Sequence, residues 1–111
     1  EPIRRGFLPK DERCFIIEKN NVSVAATFLI LSYDIPALAW TTYLVSNPKY
    51  KEKDRKEAIE TLIESAEIFC KNNNKKYMFS IGRNKSLINI HKKLNWHIDE
   101  KPSYEITKNI N

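Results

Sequence analysis

The sequence predicts an α+β (α/β-layered) domain in which a mixed, mainly antiparallel twisted sheet carries two packed helices. In the first half of the chain, three runs rich in β-branched and aromatic residues are separated by turn-forming residues, as in consecutive antiparallel strands. The second half changes to apolar spacings of three and four residues, which is the period of an amphipathic helix. A further strand lies between two helical segments, and a strand–helix–strand run requires a right-handed parallel crossover.

The N-terminal strands are each bounded by residues that favour turns. They are predicted over residues 13–18, 22–33 and 37–46. Asn20 and Asn21 tolerate a positive φ and indicate a tight hairpin between the first two strands. Pro36 separates the second strand from the third, and Pro48 ends the third because proline cannot continue a sheet ladder.

The remaining elements follow the change in period. They are a helix over residues 53–71, a strand over 77–81, a helix over 85–94, and two closing strands over 96–98 and 104–107. The asparagines at 72–74 are expected to stop the first helix in a left-handed cap, and Asn84 is placed to cap the second. The predicted order is therefore β-β-β-α-β-α-β-β.

The charge of the chain favours anionic partners. Lysine and arginine outnumber aspartate and glutamate by 19 to 14, which gives a formal net charge of +5 and a pI near 9.2. Nucleotides, phosphorylated cofactors and nucleic acids are the classes of ligand that such a charge attracts. The alternative is that lysine and asparagine are simply the favoured polar residues of a biased composition.

The length of 111 residues suits one domain over residues 1–111. No run approaches the roughly 18–20 apolar residues of a membrane span, and no signal peptide is recognisable. Cys14 and Cys70 lie in apolar patterns, so we expect buried free thiols and a cytoplasmic protein. Because the first residue is Glu1, we also expect N-terminal elements to be truncated or minimal.

The segment between the third strand and the first long helix is a predicted anion site. A helix N-terminus presents unpaired amide N–H groups and a partial positive charge. Basic residues surround it: Lys49, Lys51, Lys53, Arg55 and Lys56. The alternative interpretation is an ordinary solvated first turn.

His91 is a candidate catalytic side chain, because its neighbours on the second helix point inward near the end of the fourth predicted strand. A single histidine on an apolar helix face is more often a core residue, so both interpretations stay open from the residues alone. With two histidines, two distant cysteines and neither an HxxH nor a CxxC spacing, no metal site is expected.

Residues 44–96 resemble the GCN5-related N-acetyltransferase (GNAT) superfamily. The segment TLIESAEIFCKNNNKKYMFS (61–80) is similar to the long helix and the following strand of that family. The segment NKSLINIHKKLNW (84–96) is similar to its second conserved helical motif, with His91 in the usual tyrosine place and Asn95-Trp96 in the Gly-Phe place. Leu44 to Pro48 is similar to the V-x-P ending of the family's fourth strand.

The resemblance implies a fold of the acyl-CoA N-acyltransferase type, with acetyl-CoA or another acyl-CoA lying between two splayed strands. Expected cofactor-binding residues fall into three groups: the backbone of Leu44 and Val45 for the pantetheine arm; Lys51, Lys53, Arg55, Lys56 and Ala58 for the pyrophosphate; and Ser80 and Asn84 flanking the pantetheine. An amine would attack the thioester directly, and His91 would protonate the leaving thiolate.

The sequence departs from the family pattern in the pyrophosphate loop, which the family writes R/Q-x-x-G-x-G/A. One register places Glu57 and Ile59 in the glycine positions, and a shift by one matches Lys53, Lys56 and Ala58 instead. Neither register contains a glycine, so side-chain cations are expected to replace close backbone approach.

The sequence therefore predicts an N-acyltransferase, with transfer of acetyl expected, acting on an unidentified amine. One alternative is a catalytically inactive binding module of the same fold. Another is acyl-type transfer to a nucleic-acid substrate through the basic surface. No membrane partner is expected, and both a monomer and a homodimer are compatible with the sequence.

Overall fold

The computed structural model describes residues 12–82, 84–101, 104 and 106–110. Within this part of the chain, four strands form one sheet in the order β1-β2-β3-β4. They are β1 (Glu12–Lys19), β2 (Val22–Leu31), β3 (Leu38–Ser46) and β4 (Tyr77–Ser80). The pairs β1–β2 and β2–β3 are antiparallel, whereas β3–β4 is parallel. The predicted mixed, mainly antiparallel sheet is confirmed.

Two helices complete the described fold: α1 (Arg55–Asn72) and α2 (Lys85–Lys93). These helices and the four strands begin and end within two residues of their predicted bounds. Each helix ends in a Schellman motif, in which the amide after a left-handed residue donates back to the last turn. Lys75 N donates to Cys70 O at 2.9 Å after Asn74, and Trp96 N donates to His91 O at 2.9 Å after Asn95.

The core lies between one face of the sheet and the two helices. One cluster joins Ala25 of β2 to buried residues of both helices, with Leu44 of β3 packed against it; the helical members are Ile59, Leu62, Ile63 and Ile90. A second cluster joins Leu29 and Ala39 of the sheet to Cys70 of α1. Burial raises the pKa of the Cys70 thiol to about 11, so Cys70 is an inert core thiol.

The opposite face of the sheet carries exposed apolar side chains. Ile16 is 55% exposed, and Trp40 of β3 contacts Phe79 of β4 with ring centroids 5.6 Å apart. Cys14 also lies on this face and is exposed, so the prediction that both thiols are buried is wrong for Cys14. The apolar pattern of β1 misled because Phe15, its neighbour, points to the helices, where it packs edge-on against Phe69.

The predicted closing strands are wrong. Residues 96–101 contain no strand, and neither do residues 104, 106 and 107; residues 102, 103 and 105 lie outside the described part of the chain. Trp96 belongs to the end of α2, where its indole Nε1 donates to Glu67 of α1 at 3.0 Å. Tyr104 and Ile106 are 89% and 93% exposed, so these two alternating apolar side chains do not pack against the core.

Candidate functional site

β3 and β4 separate at one end of the sheet. Their parallel ladder ends at the pair Thr41–Ser80, but β3 continues to Ser46 without a partner in β4. The β2–β3 register shifts between Ala26 and Phe28, where β3 contains one residue more than β2. Such a bulge bends and twists a strand. The stretch of β3 beyond Thr41 therefore offers backbone groups that β4 does not pair.

Leu44 and Val45, the predicted pantetheine contacts, lie in this unpaired stretch, and both side chains are half-buried. Leu44 packs against the core cluster that α1 and α2 share. Ser80 is the last residue of β4 and marks the point at which the strands part. These three predicted residues thus line the same opening.

The loop after β3 is held by Asn47 rather than by glycine. The Asn47 side-chain oxygen accepts from Lys49 N at 2.9 Å, and its amide nitrogen donates to Ser23 O at 2.9 Å. The backbone oxygen of Asn47 accepts from Tyr50 N at 3.1 Å. Tyr50 is only 8% exposed. The loop is therefore anchored to the β1–β2 hairpin side of the sheet.

Asp54 occupies the N-cap of α1, but its side chain does not cap the helix. Its carboxylate accepts a 2.6 Å hydrogen bond from Tyr50 Oη and forms an ion pair with Lys19 of β1. The hydrogen bond from Lys19, followed by that from Tyr50, lowers the pKa of Asp54. The carboxylate thus bonds Tyr50 and Lys19 and none of the first amides of α1.

Two amides at the start of α1 remain open. Ala58 N donates to Asp54 O at 2.9 Å, and Arg55 N donates to Glu52 O at 3.3 Å. No acceptor for the amides of Lys56 and Glu57 is present in the described part of the chain. With the partial positive charge of the helix end, these donors can bind an anion.

The predicted basic residues differ in their surroundings. Lys51, Lys53 and Lys56 are exposed at the loop and the first turn of α1. Arg55 is half-buried, and its guanidinium donates to Ser46 Oγ at the end of β3. The structure thus brings Arg55 to the strand opening, and it leaves the three lysines facing solvent around the helix end. Ala58 is half-buried, and its amide is already used within the helix.

Asn84 caps α2 as predicted. Its side-chain oxygen accepts from Ser86 N at 2.8 Å and from Leu87 N at 3.4 Å. The Asn84 oxygen is therefore engaged in the cap, and its NH₂ group takes no part in it. A groove of about 250 Å³ then separates the start of α1 from α2; it is lined by Lys56, Glu60, Ser86, Asn89, Ile90 and Lys93.

His91 is buried, with 7% of its surface exposed. Its Nδ1 lies 2.9 Å from Leu87 O, and because a carbonyl oxygen only accepts, Nδ1 carries the proton. The ring also packs edge-on against Trp96, with centroids 4.8 Å apart. Nε2 has no hydrogen-bond partner among the residues that the structure describes. A buried ring nitrogen without a protein partner is uncommon and marks a position that can serve a ligand.

Sequence reasoning did not identify the network of Lys19, Tyr50 and Asp54, nor the roles of Ser46 and Glu60. Tyr50 and Asp54 are four residues apart around the loop, so their contact had a local signal. Lys19 lies 35 residues before Asp54, and only the sheet register brings the hairpin to the loop. That contact could not have been found from the local pattern.

In the part of the chain that the structure describes, neither a metal centre nor a membrane helix is found. In residues 12–82, 84–101, 104 and 106–110, no group of three or more histidine, cysteine, aspartate or glutamate side chains could hold a metal ion. Across the same residues, neither helix combines the length and the apolar content that a membrane crossing requires.

Comparison by sequence gives no relative: no protein-family model matches the chain, and no curated protein gives a significant match. Comparison by structure gives several. An aminoglycoside acetyltransferase from an uncultured soil metagenomic sample aligns with a TM-score of 0.71 and 11% identity, covering 92% of this chain and 68% of that chain. AAC(6′)-Iy in complex with the bisubstrate analogue CoA-S-monomethyl-acetylneamine aligns with a TM-score of 0.66 and 13% identity, covering 90% and 71%.

A GNAT-family acetyltransferase from Streptococcus pneumoniae aligns with a TM-score of 0.62 and 11% identity, covering 86% of this chain and 71% of that chain. At such identities the structural similarity establishes the fold. It does not show that this chain shares the substrates of these proteins.

Proposed function

We propose that this chain, which has the fold of the GNAT superfamily, is an acyl-CoA-dependent N-acyltransferase that moves an acetyl group to an amine. The observation that carries the proposal is the continuity between two features. The unpaired stretch of β3 leads directly into the loop, and the loop leads to the open amides at the start of α1. Backbone groups for an amide-containing arm are thus followed by donors for phosphate.

The residues of the site fit a coenzyme A thioester in their chemistry. Pantetheine contains amides that can pair with the backbone of Leu44 and Val45, as an added strand would. A pyrophosphate requires donors and positive charge, which the amides of Lys56 and Glu57 and the exposed lysines of the loop provide. Ser80 and the Asn84 amide group would flank the arm where the strands part.

The missing glycines do not remove this fit. Glycine would let the backbone approach a phosphate without a side chain in the way. Here the nearest negative charge to such an anion is the carboxylate of Asp54; Lys19 balances that charge in an ion pair, and Tyr50 donates a hydrogen bond to it. The helix amides are therefore kept open by side-chain contacts.

When bound, acetyl-CoA supplies the acyl group as an activated thioester. The chain positions the thioester and the amine, and such positioning alone can account for a large part of the rate enhancement. It also provides a route for a proton. His91 is held by its Nδ1–H bond to Leu87 O, so Nε2 carries the lone pair. Nε2 can therefore accept the proton that the attacking amine loses and then pass it to the departing sulfur. The acceptor is an amine, and its identity is set by surfaces beyond this site.

The test is thermal and chemical unfolding with and without coenzyme A. A ligand present at 100 times its dissociation constant adds about 2.7 kcal/mol to the free energy of unfolding. We expect this stabilisation in the wild-type chain and its loss in Lys51→Glu/Lys53→Glu, which reverses two exposed charges at the loop. Lys71→Glu/Lys76→Glu is the matched control, since both lysines are exposed at the far end of α1.

No stabilisation of the wild-type chain by millimolar coenzyme A would overturn the proposal. If single-stranded nucleic acid were retained instead, with a steep salt dependence, the basic surface would have to be read as a nucleic-acid site.

A further inference from the structure

The face of the sheet that lies opposite to the two helices is apolar on all four strands. Side chains alternate between the two faces along each strand, so the strand registers show which of them share this face. We call it the open face; its apolar side chains include Ile16, Ala26, Ile30, Trp40, Tyr77 and Phe79. Charged residues make up 30% of the chain, yet among the described strand side chains of the open face only Glu18 is charged. The open face therefore differs from the rest of the surface of this basic protein.

Much of the open face is in contact with solvent. The exposed fractions are 55% for Ile16, 41% for Trp40, 71% for Tyr77 and 51% for Phe79, whereas Leu29 on the other face of the sheet is fully buried. An apolar sheet face is normally buried against a second layer, and large exposed apolar patches on soluble proteins mark interaction sites. Within the part of the chain that the structure describes, both helices pack on the other face, so the open face lacks such a layer.

The size of the open face suits a weak dimer interface. Neighbouring strands lie about 4.8 Å apart and each residue advances a strand by about 3.3 Å, so the four strands present roughly 450 Å² of flat surface. The projecting side chains raise the accessible area above that value. Two such faces therefore bury on the order of 1,000 Å² in total, which is the lower limit for a specific protein–protein interface. An interface of this size holds two copies together at high concentration and lets them separate on dilution.

We infer that two copies of this chain associate through their open faces in a dimer with two-fold symmetry. In such a dimer the same surface of each copy covers the other, so both apolar faces are removed from water at once. The two sheets would pack face to face, as the two layers of a β-sandwich do. The inference concerns the side of the sheet opposite to the helices, so it does not depend on the proposed function.

The charge of the chain predicts how salt affects this dimer. Each copy carries a formal net charge of +5, so two copies repel each other, while the open face itself contributes little charge. Salt screens the repulsion between the copies, and we expect the dimer to become more stable when sodium chloride is raised from about 0.05 to about 0.5 M. Salt would instead weaken the binding of an acidic protein to this basic chain.

Sedimentation velocity between about 5 and about 500 µM protein tests the inference. Ile16→Glu places a charge within the contact, and Ile68→Glu is its matched control, because Ile68 is an isoleucine of 61% exposure on α1. We expect the mass of wild type and of Ile68→Glu to rise with concentration from the 13.1 kDa of the monomer toward twice that value. The dissociation constant of Ile16→Glu should be at least about tenfold higher, because a buried unpaired charge is costly.

The fluorescence of Trp40 reports on the open face itself. The contribution of Trp40 is obtained as the difference between wild type and Trp40→Phe, since the chain contains two tryptophans. We expect acrylamide to quench this contribution readily at low protein concentration, where Trp40 is 41% exposed in the monomer, and much less at high concentration. Circular dichroism checks that each variant is folded.

A wild-type chain that stays monomeric, with Trp40 open to acrylamide at every concentration, would overturn the inference. A monomer whose Trp40 is shielded throughout would overturn it as well, since another part of the same chain would then cover the open face. A dimer that Ile16→Glu and Ile68→Glu weaken equally, or that salt dissociates, would use a different surface and contradict the inference. None of these outcomes bears on the binding of coenzyme A.

Discussion

Asparagine occupies the left-handed backbone positions of this protein. Among the described residues, the four with positive φ are all asparagines, and no glycine adopts a positive φ; they are Asn20 (52°), Asn21 (64°), Asn74 (61°) and Asn95 (68°). Asn95 stands where the resemblance places a glycine, and its conformation is the one that such a position requires. Asn95 therefore adopts the backbone conformation that glycine favours, although the residue type differs from the one the resemblance suggests.

Asn95→Ala should lower the free energy of unfolding by about 1 kcal/mol, because a β-carbon without a compensating polar group is disfavoured at positive φ. Urea unfolding followed by circular dichroism measures the change. Asn95→Gly serves as the control and should be as stable as wild type, since glycine adopts this conformation without penalty. Equal stability of the alanine variant would mean that α2 does not end in the left-handed cap described.

His91→Phe should lower turnover by about 10²–10⁴-fold if Nε2 delivers the proton. Thiol release from acetyl-CoA with a primary-amine acceptor measures turnover, and calorimetry should show an unchanged affinity for coenzyme A. Phenylalanine keeps an aromatic contact with Trp96, so packing is largely retained. His91→Tyr should recover part of the activity, because it restores a donor of the type that the family places there. Unchanged turnover in His91→Phe would reduce His91 to a core residue.

At the scale of elements, the loop between β3 and α1 is a structural unit built from side-chain contacts. Tyr50 and Asp54 are joined across the loop, and Lys19 ties both to the β1–β2 hairpin. An aspartate at the N-cap normally stabilises its own helix, because its side-chain oxygen accepts a hydrogen bond from one of the first backbone amides. This chain gives up that contact at Asp54, and the consequence is a helix end open to an external anion.

The same network makes the loop sensitive to acid. Asp54 has a folded-state pKa below its ordinary value of 3.8, so its contribution to stability is present above about pH 4 and is lost as the pH falls through the folded pKa. We expect the free energy of unfolding, measured with urea at about pH 7, 5 and 3, to fall more steeply for wild type than for Asp54→Asn. Glu52→Gln, which removes a loop carboxylate outside any ion pair of the described residues, should follow the wild-type curve. Parallel curves for wild type and Asp54→Asn would contradict the network.

At the scale of the whole molecule, the elements were predictable because their signals are local. The change from period two to period three or four, the turn asparagines and Pro48 placed the four strands and two helices. The prediction of C-terminal strands failed because Trp96 and Ile98 alternate as in a strand. In the structure, Trp96 instead packs against the core cluster that α1 and α2 share and donates to Glu67 of α1. The prediction that Cys14 is buried failed because alternation along β1 does not reveal which face of the sheet the helices cover.

The candidate site was predictable only in outline. The order strand, basic loop, helix located the anion-binding end of α1, and the spacing from Asn84 to His91 located α2. The contacts that decide its chemistry, such as Lys19 with Asp54 or Lys93 with Glu60, join residues 35 and 33 positions apart. Those pairings depend on sheet register and helix packing, which no local pattern contains.

The short β3–β4 ladder divides the sheet into two parts, the antiparallel strands and a parallel edge. Four residue pairs of parallel ladder join β4 to β3, whereas α2 and the segment after it are held to α1 by the packing of Ile90 and by the bonds from Lys93 to Glu60 and from Trp96 to Glu67. We expect so short a ladder to open locally at a free energy below that of global unfolding, so that amide protons of β4 exchange with solvent while β1 and β2 stay closed. A ligand seated between β3 and α2 would bridge the two parts. Binding of that ligand would then slow amide exchange along β4, including at residues that the ligand does not contact.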